Sequence, residues 1–346
     1  MENNTISIKP LPLAPMLGFS DSRFVTGLAV TNEISLNRFE FSEGIELASA
    51  TIDPQCGCSG GGTCTCGGAA ATAGDPAAAG TNLIYVFGDI KVVLPSQSVE
   101  REFYNVAVTD PADKNKPFPE IAYKYLSKTE NLYIARDMNW VFTIRGSIDL
   151  YIVNVQTDRD LSVLIETIAP HAKTIDYDIV IGQKTAEFRN ESTTGDALPV
   201  VIYQQIYNIT NEQYVKAIKE ANAPDCTAEQ ASQLFGAALQ LTNNTGDEDR
   251  FRALNFIVLR YMRFYQEMYR LKFKGQEVSP NVLEYYDLVG VTTNGVEVFG
   301  KKRIMDIIFN FQGQSSSSSL TYSCTIDISR EFPFVVVHWS RYYRGI

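Results

Sequence analysis

The stretch from Cys56 to Gly80 sets the plan of the chain. Four cysteines, Cys56, Cys58, Cys64 and Cys66, stand among Gly, Ser and Thr, and residues 67–80 are nearly all Gly and Ala, with Thr72, Asp75 and Pro76. Such a composition offers little apolar area to offset the entropy of ordering. It divides the sequence into an arm, 1–55, a Cys/Gly/Ala-rich segment with linker, 56–80, and a folded body, 81–346. In the arm, Pro10, Pro12 and Pro15 favour extended backbone, and Phe24–Val30 reads as a strand.

The cysteines form two Cys-x-Cys pairs around Ser59-Gly60-Gly61-Gly62-Thr63. Zinc takes four soft ligands at about 2.3 Å in a tetrahedron, and glycines let a backbone fold tightly enough to bring two pairs around one ion. The expectation is a closed, structural zinc site held by Cys56, Cys58, Cys64 and Cys66. Zinc ribbons use Cys-x-x-Cys rather than Cys-x-Cys, and three other readings stand beside the metal. Cys58 follows Gly57, so its thiol can cyclise onto the preceding carbonyl, as in a substrate-like modified peptide. The thiols can oxidise in any of three pairings, or stay idle in a flexible segment.

Composition excludes several classes. At 346 residues and 45% hydrophobic content the chain can bury a sizeable core. Thirty basic residues against forty acidic give a net charge of −10, which repels a phosphate backbone, so nucleic acid is not an expected partner. The longest apolar runs, Leu198–Ile202 and Phe334–Val337, are far below the roughly 20 residues of a membrane helix, so no membrane partner is expected either. Met1-Glu2-Asn3-Asn4 lacks a basic start and apolar stretch, which points to the cytoplasm, where clustered thiols bind metal more often than they pair.

The body reads as α+β, mostly antiparallel sheet with a helical segment at about 210–272 packed on it. Residues 82–94 alternate as a bent strand or hairpin interrupted by Gly88, and a helix follows Ser98 with Val99, Phe103 and Val106 on one face. After a polar loop, 110–119, Ile121, Tyr125 and Leu126 mark a short helix. Residues 140–145 and 148–155 read as a hairpin across Gly146-Ser147. Leu161, Leu164, Ile165 and Ile168 have helical spacing up to Pro170; strands follow at 177–181 and 198–206, with a loop at 183–196. Thr210 with Gln213 and Thr227 with Gln230 are capping boxes. The second of these helices presents Ala231, Leu234, Phe235 and Ala238 on one face. A third helix, about 249–272, sets Phe251, Leu254, Val258, Tyr261, Met262, Tyr265 and Met268 inward, against a solvated stripe of Arg252, Arg263, Glu267 and Arg270. Four strands close the chain, 282–292, 296–311, 320–328 and 332–339, with a turn at Asn294-Gly295. Cys324 falls on an apolar face and reads as a packed thiol.

No phosphate loop, His-Glu-x-x-His helix or Gly-x-Ser-x-Gly elbow occurs. His171 and His338 are the two histidines, which leaves few bases for a nucleophile. His338 shares a strand face with Phe334 and Val336 and reads as a half-buried structural residue; His171 reads as a loop residue. Asp176 and Asp178 point the same way from a strand and are expected exposed. The chain reads as a binding module rather than an enzyme, with an enzyme of unrecognised type kept open.

From Tyr85 onward the chain resembles the C-terminal domain of the cyanobactin maturation protease PatG, which also ends the companion protease PatA. The resemblance is carried by Tyr85-Val86-Phe87-Gly88, residues 95–103, Leu132–Arg136, Trp140–Gly146, Tyr151-Ile152-Val153, Asp178–Gly182, Arg252–Phe256 and Glu331–Val335, in order. It implies a role beside ribosomally made, post-translationally modified peptides, with a precursor peptide or peptide-maturation enzymes as partners and homo-oligomerisation open. It transfers no catalytic residue, and the subtilisin-like part is not matched, so the body is expected to stand alone or act in trans.

Native mass spectrometry tests the cysteine segment. A zinc site requires about one zinc per chain, lost with chelator or with Cys58→Ser; loss of water from residues 56–66 instead establishes cyclisation.

Overall fold

The computed structural model describes residues 82–107, 113, 116–144, 148–170, 176–192 and 195–343. Cys56, Cys58, Cys64, Cys66, the arm, His171 and the Gly146-Ser147 turn lie outside them. The fold is α+β. In chain order come β1 (Leu83–Val93), α1 (Gln97–Ala107), α2 (Phe118–Leu126), α3 (Leu132–Asp137), β2 (Asn139–Ile144), β3 (Ile148–Val153) and α4 (Asp158–Thr167). Then follow β4 (Asp176–Asn190), β5 (Ala197–Thr210), α5 (Asn211–Ala221), α6 (Ala228–Leu239), α7 (Asp249–Arg260) and α8 (Met262–Tyr269). The chain continues through β6 (Gln276–Ser279), β7 (Val282–Glu284), β8 (Tyr286–Thr293), β9 (Glu297–Phe299), β10 (Lys302–Gly313), β11 (Ser319–Asp327) and β12 (Phe334–Arg341).

Strands β1–β5 close a barrel in the order β1-β2-β3-β5-β4, with β3 and β5 parallel, and β12-β11-β10-β8 form a second, antiparallel sheet. Helices α5–α8 lie between the two. Strand β1 makes this layering possible, because its alternation is apolar on both faces. Ile84 and Val86 join Trp140, Phe142, Tyr151 and Val201 in one core with α1–α4. Tyr85 and Phe87 face the other way, into a core built with Leu254, Val258 and Tyr265 of the helices and Phe309 and Phe311 of the sheet. A strand buried on both faces reads as a continuous apolar run, as Leu83–Phe87 does. At Gly88 a Cβ would stand 2.1 Å from the Thr143 carbonyl oxygen, so the residue permits β1 to pass from β4 to β2.

Both expected capping boxes form. The Thr210 hydroxyl accepts from Gln213 N at 3.1 Å and the Thr227 hydroxyl from Gln230 N at 3.2 Å, and each glutamine returns a bond to the cap amide. At α1 the cap is Ser96 rather than Ser98, its hydroxyl accepting from Val99 N. Helix α2 takes in Phe118 and Pro119 from the expected loop, because proline lacks nothing needed in a first turn. The expected loop at 183–196 is mostly strand: β4 runs to Asn190 and pairs Phe188 with Pro199 and Arg189 with Leu198. Its polar side chains do not oppose this, since Gln183, Glu187 and Asn190 are exposed.

The single helix expected over 249–272 is two. Tyr261 leaves helical geometry at φ −102 and ψ 81, between α7 and α8, and a π-helical turn ends the segment at Arg270–Lys274. Arg252, assigned to the solvated stripe, is instead fully buried, donating to the carbonyls of Ile328 (3.1 Å) and Arg330 and pairing with Asp249. Phe251, placed in the core face, is half-buried under the Arg250 guanidinium. Arg263 and Arg270 do face outward, and both pair with Glu267. Asp178 is also a correction. It is buried and accepts from Ile90 N at 2.8 Å and the Asn208 amide at 3.3 Å, satisfying a strand N–H beyond the reach of the ladder. The strand expected at 296–311 turns at Gly300-Lys301, which splits β9 from β10.

The loop between α6 and α7 clasps β1. Tyr85 N donates to Gly246 O at 2.9 Å, and the Asn255 amide donates to Tyr85 O at 2.6 Å. Asn244 and Asn255 bond each other, so this buried amide pair is satisfied on both sides. Gly246 has φ +63, and a Cβ there would meet Tyr85 O at 2.4 Å. Replacing Asn255 by Ala strands the Tyr85 carbonyl and removes one partner of the Asn244 amide. The expected outcome is a loss of about 3 kcal/mol of unfolding free energy by denaturant titration.

Candidate functional site

Among the described residues no group of three or more His, Cys, Asp or Glu is placed to hold a metal ion, and no helix is long and apolar enough to cross a membrane. Cys226 and Cys324 are buried and unpaired with each other. Burial, and then the nearby Asp306, push the Cys324 thiol up to about 12, which removes its nucleophilic form at neutral pH. This agrees with a packed thiol on an apolar face.

The barrel does not present an open binding face. Five-stranded Greek-key barrels elsewhere bind oligonucleotides and oligosaccharides on the outer face of their second and third strands. Here the corresponding outer row, Val141 of β2, Ile152 of β3 and Val200 of β5, is buried, with Leu198 and Val93 against it. The end of the β4–β5 hairpin is tied down beside it. Asn139 donates to the Asn190 and Glu191 carbonyls, the Arg189 guanidinium donates to Asn154, and Lys91 bridges Asp149 (2.8 Å) and Glu191 (3.6 Å). Burial, and then the Asp149 charge, raise the Glu191 carboxyl. A carboxyl pair sharing a lysine resembles acid–base machinery, but here its bonds join β1, β3 and the end of the β4–β5 hairpin and make it a latch. An open hollow of about 410 Å³ is lined by Gln97, Glu100, Arg101, Tyr104 and Asn105, all on α1.

Strand β12 is different. Val335-Val336-Val337 is β-branched and fits a strand. It pairs antiparallel with β11, and among the described residues no strand pairs with its other edge. Val335 is partly buried, and Trp339 is buried, packing on Phe309 at 4.7 Å and Tyr322 at 5.5 Å. Two register shifts against β11 turn the intervening side chains outward. Phe332, ahead of the strand, and Phe334, Val336 and Val337 on it are 49%, 52%, 48% and 49% exposed. His338 is exposed too, which corrects its expected half-buried role; Phe334 and Val336 beside it face solvent, so no core lies under that face.

The protein holds this strand in place from behind. At the α7–α8 break the Tyr261 hydroxyl accepts from Trp339 N at 2.9 Å, and its ring stacks on His338. Arg252 fixes the carbonyls of Ile328 and Arg330 in the turn entering β12. An apolar, half-exposed strand edge with no inward charge is a template for another strand unless something covers it. Sequence reasoning missed it. The run Phe332–Trp339 was legible as a strand, but its position at the rim of the sheet was not.

A family model described as "PatG Domain" matches residues 83–269, and one described as "PatG C-terminal" matches residues 222–342. A solved structure described as "PatG Domain of Unknown Function" has a TM-score of 0.57 at 16% identity, covering 75% of this chain and 98% of that one. At that identity the likeness speaks for the fold. No curated protein matches the chain.

Proposed function

Since the chain belongs to the PatG domain family, which is tied to the making of cyanobactins and related ribosomal peptides, we propose that it is a non-catalytic accessory module that docks an extended peptide during maturation. The observation that carries this reading is the β12 edge, which no further strand pairs with among the described residues and which has four half-exposed apolar side chains around it. Strand addition suits such a surface. Main-chain hydrogen bonds supply affinity whatever the peptide's sequence, and alternate side chains supply selectivity. A maturation helper needs that combination, because its partners vary in side chain while sharing a backbone. Tyr261 and Arg252 support the reading, since an edge held from behind loses less entropy on binding. A zinc site at Cys56, Cys58, Cys64 and Cys66 belongs to the same proposal, as a brace for the segment before β1.

Fluorescence anisotropy of a labelled cyanobactin-type precursor peptide with the full chain tests it. Phe334→Lys and Val336→Lys, at exposed positions where the fold tolerates change, are each expected to weaken binding about tenfold or more. Tyr104→Lys, on the exposed face of α1, leaves binding unchanged. Equal affinity for all three variants removes the edge as the site.

A further inference from the structure

We propose that the β12 edge is also where two copies of this chain pair, so that a second copy and a peptide compete for one surface. The inference rests on the reading of that edge as a docking site. It is argued from the self-complementarity of the strand and from the charges at its ends.

A strand that meets itself across a two-fold axis runs antiparallel to its mate and presents the same residues to it. From Phe334 to Ser340 the strand reads Phe, Val, Val, Val, His, Trp, Ser, with no Lys, Arg, Asp or Glu, so self-pairing places no fixed like charges together along it. It also covers Phe334, Val336 and Val337, which a single copy leaves half-exposed.

The ends have opposite sign. Arg341 closes the strand with an exposed guanidinium; among the described residues it lies over the Tyr322 and Tyr343 rings, each 6.0 Å away, and forms no ion pair. Glu331 stands ahead of the strand's start. Its own backbone N–H and the Gln204 side chain bond the carboxylate and hold it below the usual range, so it is charged at neutral pH. Antiparallel self-pairing carries the end of one strand to the beginning of the other, which sets Arg341 of each copy toward Glu331 of its mate. Two-fold symmetry makes that contact twice. Arg330, next to Glu331, offsets part of the attraction, so apolar cover supplies most of the stability and the charges set the register. Because each pairing hides the edge, apparent peptide affinity falls as chain concentration rises.

Sedimentation velocity on the full chain reads the pairing directly, with circular dichroism to show that each variant is folded. A concentration-dependent monomer–dimer equilibrium is expected in the micromolar range. Glu331→Arg and Arg341→Glu should each raise the dimer dissociation constant about tenfold, since each acts at both symmetry-related contacts, and the double exchange should restore most of it. A chain that stays monomeric at the highest soluble concentration overturns the inference. So does a dimer indifferent to both single reversals, or one that the double exchange fails to rescue. The peptide titration separates this from the docking reading. Peptide binding by a strictly monomeric chain sinks the self-pairing and leaves the docking site standing; a charge-dependent dimer whose monomeric variants bind no peptide does the reverse.

Discussion

The architecture depends on one strand serving two cores. β1 buries Ile84 and Val86 inside the barrel and Tyr85 and Phe87 against the helices, so neither half of the molecule is complete without it. A strand in that position has a backbone problem. It pairs with β4 over Leu83–Gly88 and with β2 over Asp89–Val93, which leaves Tyr85 without a β2 neighbour. The Gly246 carbonyl and the Asn255 amide take the place of the missing strand, bonding Tyr85 N and O. An unpaired buried peptide group costs as much as a lost hydrogen bond or more. The residues that solve this problem, Gly246 and Asn255, are therefore under tight physical constraint. The same loop reaches β3 and β4, where the Tyr151 hydroxyl donates to Thr245 O and Lys184 pairs with Asp247.

Constraint passes from this junction to the far sheet through α7. Asn255 faces the barrel, while Arg252, one turn earlier, points to the turn between β11 and β12. A buried guanidinium costs desolvation unless partners offset it, and Asp249 and two carbonyls take its Nη donors here. At the end of α7 the helix breaks so that Tyr261 reaches the Trp339 amide. One helix thus ties the barrel behind it to the strand edge in front. That edge leaves Phe334, Val336 and Val337 about half exposed, while the outer row of the barrel at Val141, Ile152 and Val200 is buried.

The tyrosines between barrel and helices are pushed up by burial and bond one another or carbonyls: Tyr85 meets Tyr207 at 3.1 Å, and Tyr214 and Tyr265 both donate to Val258 O. Arg260 stacks on Tyr207, a cation held by ring faces and hydroxyls. These groups are positioned by packing.

Local signals determined much of this protein from its sequence. Alternation placed β1, β11 and the β2–β3 hairpin, the Thr–Gln pairs placed the starts of α5 and α6, and the burial of Cys324 followed from its side of a strand, because each depends on neighbours a few residues away. Tertiary structure decided the rest. It buried Arg252 and Asp178, which polarity alone assigns to solvent, because distant carbonyls and an amide were there to receive them. It split the long helix at Tyr261, carried β4 through a polar segment, and put β12 at the rim rather than the middle of its sheet. Strand order and the partners of buried polar groups are relations between remote parts of the chain, and periodicity carries no information about them.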